Sequence, residues 1–463
     1  MRRRVLVSVS LLLAIAIAPG GCASRATAPA AVGQVDTAAP RLSAEDDVLL
    51  EDLSRRSFMF FWEQASPVTG IVRDRARTDG GPVTGRARDI GSIAAVGFGL
   101  SGMCMAAERQ WIPRDQVIAR TRTTLRFFAD RITHERGWFY HFIDLHTGAR
   151  EWESELSSID TALFVAGALT VRQCFAADAE IPALAERIYH RVDFQWMLAG
   201  DPALLSHGWK PESGFLKARW DSYSELMLLY VLAIGSPTHP IPAQSWHAWR
   251  RPVVTFGAYS YIGGPPPLFV HQYAHAWLDF RGRREREPPY TDWFQNSVIA
   301  TRAHKAFMLA LSPEFPGYGD RLWGLTASDS RKGYVAWGGP PRHDRIDGTL
   351  VPCAAAGSLM FAPDITLPVI REMRRRFGDR TYGRYGFADA FHPTDGWVNP
   401  DVIGIDLGIT LLSAENLRTG RVWQWFMQNS EIPAAMARAG LVHLTRREME
   451  RPVSPIYHGG EYG

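Results

Sequence analysis

The sequence predicts an all-α protein, an (α/α)6 toroidal barrel whose long aromatic-rich loops form a cleft at one end. Three observations predict it. Amphipathic helical segments recur along the chain, segments that are apolar or small nearly all the way round alternate with them, and long connections rich in Trp, Tyr, Asp, Pro and Gly separate the two kinds.

The N-terminus reads as an address. Arg2, Arg3 and Arg4 precede an apolar run from Val5 to Ala18, then Pro19-Gly20-Gly21-Cys22. This is a secretory signal over residues 1–22, with a run too short to span a bilayer. The small residues before Cys22 resemble a lipobox, in which Cys22 is acylated. Pro19 stands where such boxes usually carry Leu, so cleavage nearby without acylation is the alternative. Residues 23–44 are an Ala/Thr/Pro/Gly tether, 45–450 a single domain, and 451–463 a tail. The expected location is the periplasm or the outer membrane as a lipoprotein, with membrane contact only through that anchor and a monomeric state.

Of 51 Lys and Arg, three sit in the leader, so 48 remain against 48 Asp and Glu. A balanced chain gives no basic field for nucleic acid. The cluster from Arg281 to Arg286 is interrupted by Glu285 and reads as a solvated loop. Cys104, Cys174 and Cys353 lie among small apolar residues and read as buried free thiols.

Amphipathic segments at 45–64, 114–131, 182–198 and 367–377 are expected on the outside. Segments 92–107, 159–176, 224–234, 354–360 and 409–414 have no polar face and must be surrounded by protein; their Gly and Ala allow close backbone approach. The connections 137–155, 207–223, 262–271 and 318–349 are long enough to be functional. Strand signals are few, at 137–143 and 333–337.

Sixteen Trp is roughly two to three times ordinary usage. Trp138, Trp152, Trp209, Trp220, Trp277, Trp323, Trp337 and Trp397 each have a polar or acidic neighbour in sequence. As a set they read as planes for sugar rings, although some are expected to be packing residues.

The acids cluster at the starts of inner-type segments. Glu151, Glu153, Glu155 and Asp160 precede or open one of them; Asp160 could instead serve as a helix cap, whereas Glu155 has no such role. Glu225 opens another, with Asp221 four residues earlier, and desolvation there suits a general acid. The competing reading is a capping box to Ser222. His271, His275 and Asp279 would share one helical face, but no metal-binding signature accompanies them, so no metal or other cofactor is expected. Later come Gly386-Phe387-Ala-Asp389 and Asp401-Val-Ile-Gly-Ile-Asp406, acids beside Gly and apolar or aromatic residues. Expected substrate contacts are Trp152, Trp220, Asp221, Tyr223, His271, Gln272, His275, Trp337, Phe387 and Asp389.

The blocks Ser157-Ser-Ile-Asp160-Thr-Ala-Leu, Glu225-Leu-Met-Leu-Leu-Tyr, His271-Gln-Tyr-Ala-His-Ala-Trp-Leu-Asp279, Trp323-Gly-Leu-Thr-Ala-Ser-Asp329 and Glu415-Asn-Leu-Arg-Thr-Gly420 together resemble the bacterial glucoamylase-like domain, which includes glycoside hydrolase family 144 β-1,2-glucanases. The resemblance runs from about residue 50 to 445. It implies an (α/α)6 barrel, inverting cleavage of a β-1,2-glucan without a metal, and periplasmic action. It implies Glu155, Asp160 and Glu225 as carboxylates near the scissile bond. The family pattern Asp-Gln-Gly-Pro stands here as Asp406-Leu-Gly-Ile409.

Inversion needs one carboxylic acid to protonate the leaving oxygen and one carboxylate to activate water. The reading gives protonation to Glu225 or Glu155, and water to an acid of the 151–160 cluster or to Asp406. Two rivals are a polysaccharide lyase on the same toroid, with Tyr273 and His271 or His275 as base and acid, and a glycan-binding lipoprotein without catalysis.

Overall fold

The computed structural model describes residues 42–264 and 267–445, all within one compact unit. The leader with Cys22, tether residues 23–41 and the tail 451–463 lie outside the described residues.

Helix α1 (Ala44–Glu63) starts where Ser43 Oγ accepts the Asp46 amide at 3.1 Å and donates to its carboxylate at 2.8 Å, satisfying groups a helix start leaves open. Next come α2 (Ile93–Glu108), α3 (Arg114–Asp130), α4 (Ser158–Cys174), α5 (Ile181–Arg191) and the short α6 (Phe194–Met197). The segment expected as one helix over 182–198 is thus two. The chain leaves helical geometry at Val192, and Asp193 caps α6 through the Trp196 amide at 2.8 Å.

After α7 (Met227–Gly235) and α8 (Ser245–Ala248), the stretch carrying the histidines is a 3-10 turn, Leu268–His271, followed by α9 (Tyr273–Trp277). Then follow α10 (Trp293–Ala310), α11 (Pro352–Ala356), α12 (Pro363–Thr381), α13 (Gly404–Arg418), α14 (Arg421–Met427) and α15 (Glu431–Arg438).

The two kinds of helix separate as their periodicity predicts. Every residue of α2 except Glu108 is buried, and α7 is buried throughout. By contrast α3 buries one face, Val117, Thr121, Thr124, Leu125 and Phe127 to Ala129. α2 packs against α4 and α13, α4 touches α7, α7 touches α9, and α9 touches α13, closing a circuit of apolar helices. α1, α3 and α5 pack on the outside of its members.

Glycine sets the closest contact in this circuit. A Cβ on Gly97 would lie 2.2 Å from the Leu163 carbonyl oxygen, and one on Gly167 2.1 Å from that of Gly97. The same two helices are joined by a Cys104–Cys174 disulfide with Cα atoms 6.0 Å apart, which corrects the reading of both as free thiols. Adjacency across a close helix pair, invisible to a count of three cysteines, makes the bond. Cys353 remains free and buried.

Short antiparallel strands are more numerous than the sequence signals, because the long loops pair with one another. Ile90–Ser92 pairs with Phe142–Asp144, Leu156–Ser157 with Gly208–Lys210, and Arg75–Arg77 with Asp401–Ile403. Three of these strands lead directly into α2, α4 and α13. The pairings therefore fix one set of inner-helix starts against the loops, and the acids sit at those starts.

Candidate active site

Asp160 lies in the first turn of α4, where Ser157 caps the helix: the Asp160 amide donates to Ser157 Oγ at 3.2 Å, and that hydroxyl donates back to the carboxylate. The cap is thus Ser157, and Asp160 presents its other oxygen to His141, 3.6 Å from Nε2. Glu155 reaches the opposite ring nitrogen, with Nδ1 3.2 Å from Oε1. The backbone holds this pair, since the His141 amide donates to the Glu155 carbonyl at 2.9 Å. Room for Glu155 comes from Gly208 across the strand pair, where a Cβ would meet Glu155 Cγ at 2.8 Å.

Both ring nitrogens of His141 face carboxylates, so the imidazole is held as a cation. Burial alone would depress its pKa; the charges of Asp160 and Glu155 outweigh that and lift it to about 9. The hydrogen bond from His141 in turn holds Glu155 below the usual carboxylate range.

Glu225 falls just before α7, whose first residue is Met227, and Ser222 instead bridges to Arg250. The capping-box alternative therefore does not hold. Desolvation raises the Glu225 carboxyl to about 7, and the negative charge of Asp160 adds to the effect. This is a carboxylic acid that keeps its proton near neutrality beside a carboxylate that does not cap its helix.

A second group of acids surrounds the start of α13. Asp406 is 7% exposed and raised by desolvation to about 6, with hydrogen bonds from Asp389 and the Cys353 thiol opposing the rise. Asp389 is pushed well above the carboxylate range by desolvation and then by Asp406. Both line a recess with Cys353, Phe387, Leu407 and Thr410. Beside it Arg75 bridges Asp74 at 3.1 Å and Asp329 at 2.7 Å. Tyr273 joins the two groups: after desolvation, the charges that hold its hydroxyl protonated include both Asp406 and Glu225.

The structure thus brings Glu155, Asp160, Glu225, Asp389 and Asp406 into one acid field. Phe387 lies at its edge, 5% exposed. Trp152 is exposed, with its ring 4.8 Å from that of Phe142, which stacks on His141 at 3.9 Å. Asp221 pairs with Arg250 at 3.2 Å.

Other expected contacts are turned inward. Trp220 stacks on His207 at 3.9 Å and donates to Ser158 Oγ at 2.8 Å. The Tyr223 hydroxyl meets His271 Nδ1 at 2.9 Å, Gln272 Nε2 donates to the Ala354 carbonyl at 2.9 Å, and His275 Nε2 meets Ser297 Oγ at 3.1 Å. Trp337 is buried and donates to Ser328 Oγ at 3.2 Å. Trp138, Trp277 and Trp323 are also fully buried, so half-polar sequence surroundings did not mark them as surface planes.

His271, His275 and Asp279 do not share a helical face either, because the chain changes from 3-10 to α at Gln272 and Asp279 pairs with Arg281. Burial holds both histidines neutral, at about 3, and their ring nitrogens are engaged by Tyr223 and Ser297, which leaves neither as the charged acid a lyase would need.

Four residues of the field escaped the sequence reading: His141, Asp74, Arg75 and Tyr334. A lone His between two aromatic residues carries no spacing signal. Tyr334, 55% exposed on the hairpin Ser328–Val335, has its hydroxyl held protonated by desolvation and by Asp406 and Asp389.

Residues 217–430 match the family model described as putative glucoamylase. An exo β-1,2-glucooligosaccharide sophorohydrolase (non-reducing end) of Parabacteroides distasonis is 26% identical over 425 residues, covering 84% of this chain and 57% of that protein. The chain thus spans a little over half the length of that curated relative. Among solved structures, the endo-β-1,2-glucanase of Chitinophaga pinensis in complex with sophorotriose and glucose has a TM-score of 0.79 at 27% identity, covering 87% of this chain and 99% of that one. A putative glucoamylase of Bacteroides fragilis gives 0.78 at 29%, covering 89% and 100%. The two solved structures share the helix-rich fold of this chain, and the resemblance drawn from the sequence blocks holds: this chain is similar to the bacterial glucoamylase-like proteins.

Proposed function

We propose that the protein is an exported glycoside hydrolase that cleaves β-1,2-glucan with inversion, using Glu225 as general acid and Asp406 as general base. The observation that carries this reading is one field of acids in which Glu225 is raised to about 7 and Asp406 to about 6. One keeps a proton to give at the pH where the other has an unprotonated lone pair to receive one. Glu225 donates its proton to the glycosidic oxygen as the C–O bond breaks. Asp406 takes a proton from the water that attacks the anomeric carbon from the opposite face, and both acids are reset by exchange with solvent.

The circuit of α2, α4, α7, α9 and α13 supports the (α/α)6 toroid, with the acids at one mouth and exposed Trp152 and Tyr334 beside them as sugar contacts. The Cys104–Cys174 bond supports an oxidising compartment and therefore export. The names of the relatives supply the linkage, which the residues themselves do not encode.

The test is release of reducing ends from linear β-1,2-glucan by the wild type, Glu225→Gln and Asp406→Asn, with folding followed by circular dichroism. Each variant is expected to lose roughly 10²- to 10⁴-fold in turnover while remaining folded. Unchanged turnover in either removes its assigned role. Binding without any product from the wild type would favour a glycan-capturing protein instead.

A further inference from the structure

We propose that Asp389 is a positioning residue that acts as a neutral acid, donating its carboxyl hydrogen from Oδ1 to Asp406 and so holding that base in place. The proposal rests on the reading of Asp406 as the base. Its geometric ground is how the two Asp389 oxygens are used.

Oδ2 accepts the Asp329 amide at 2.8 Å and the Asn399 side-chain amide at 3.0 Å. Oδ1 is buried and receives no donor from any other group. The Asp389 and Asp406 carboxyls hydrogen-bond each other and line the same recess, and with Oδ2 already holding two donors, Oδ1 is the oxygen left for that contact. Two buried carboxylates beside each other would repel without a counter-charge, and an unpaired buried oxygen is destabilising. A hydrogen on Oδ1 removes both penalties, turning an orphaned acceptor into a donor.

The surroundings agree with this arrangement. The charged and titratable groups facing the pair are Asp329, Asp74, Cys353, Tyr273 and Tyr334. Arg75, the cation nearby, is already bound to Asp74 and Asp329. The Cys353 thiol donates to Asp406. Asp406 thus receives two hydrogen bonds from neutral donors, which fix the orientation of its free lone pair. The Asp329 amide and the Asn399 side chain, which also binds the Asp329 carboxylate, hold Oδ2 of Asp389 and leave Oδ1 as the free oxygen.

The experiment is the pH dependence of kcat for the whole protein as wild type, Asp389→Asn and Asp389→Ala. An Asn amide reproduces the neutral donor: its oxygen accepts from Asp329 and Asn399, and its NH2 group donates to Asp406. Asp389→Asn is therefore expected to keep kcat within about threefold, with the ascending limb where the wild type has it. Asp389→Ala leaves Asp406 one donor short, so kcat is expected to fall about tenfold or more and the ascending limb to move to higher pH.

A fall of the ascending limb by a unit or more in Asp389→Asn would overturn the proposal, because it would mean that a negative charge had been removed. Wild-type behaviour in Asp389→Ala would overturn it too. Should Asp389→Ala fail to fold, Asp389→Asn alone still decides by the position of its limb. Full activity in Asp406→Asn would instead strike at the base assignment, so the two failures are told apart.

Discussion

His141 Nδ1 lies 3.2 Å from Glu155 Oε1, and the other ring nitrogen is 3.6 Å from Asp160, so a single imidazolium sits between two carboxylates. Its folded-state pKa, about 9, is above the ordinary 6.5. A group raised on folding contributes stability that is complete below its unfolded pKa and is lost as pH rises through the folded one. The denaturation midpoint of the wild type is therefore expected to fall between about pH 7 and pH 10 by more than that of His141→Gln. Parallel pH curves for the two proteins would show that the bridge carries no charge.

The pH dependence of turnover follows from two other groups. Asp406, raised to about 6, must be ionised to take a proton, so the rate rises as pH passes that value. Glu225, raised to about 7, must be protonated to give one, so the rate falls above it. A narrow bell with its maximum between these values is the expected profile of kcat. A plateau extending well above pH 8 in the wild type would remove Glu225 as the acid.

Much of this was legible in the chain. The helix classes could be read because burial on all sides leaves no polar face to α2 or α7, and exposure on one side leaves a polar face to α3. Glu155, Asp160, Glu225 and Asp406 could be found because each stands beside the start of an apolar helix. The role of Trp337 and the inward turn of Gln272 and His275 could not be, because burial of a loop residue depends on what packs over it from distant sequence. His141 was missed for the same reason. Its carboxylate partners are 14 and 19 positions away, and what joins them is the Tyr140–Leu156 bridge with the bond from the His141 amide to the Glu155 carbonyl.

The Cys104–Cys174 bond closes a 70-residue separation between α2 and α4. Loop-closure entropy at that length gives about 4 kcal/mol. Cys104→Ser, or reduction of the wild type, is expected to lower the denaturation midpoint in urea accordingly, while Cys353→Ser leaves the bond intact. A midpoint insensitive to reductant would show that the bond is not formed or not stabilising.

Gly167 and Gly97 set the distance between the same helices. With a Cβ 2.1 Å from a backbone carbonyl oxygen, Gly167→Ala has no flexible side chain to push aside, and α2 and α4 must move apart. Overpacking of this kind costs typically 1–3 kcal/mol. The variant should unfold at lower urea than the wild type. An unshifted midpoint would mean that α2 and α4 can separate at no cost to their packing.

Trp152 and Trp337 separate the two uses of tryptophan in this chain. Trp152 is 49% exposed, holds φ at 51°, and its ring continues the row from His141 through Phe142. Trp337 is 1% exposed with its indole nitrogen bound to Ser328. Removing an exposed ring that stacks on a sugar loses contact only with the ligand. Trp152→Ala is therefore expected to raise KM for glucan oligosaccharides about tenfold with an unchanged denaturation midpoint. Removing a buried ring leaves a cavity, so Trp337→Ala is expected to cost about 3–5 kcal/mol of stability. If Trp152→Ala instead lowers the midpoint and leaves KM alone, Trp152 belongs to the packing of its loop and sugar contact must come from Tyr334 or elsewhere along the acid field.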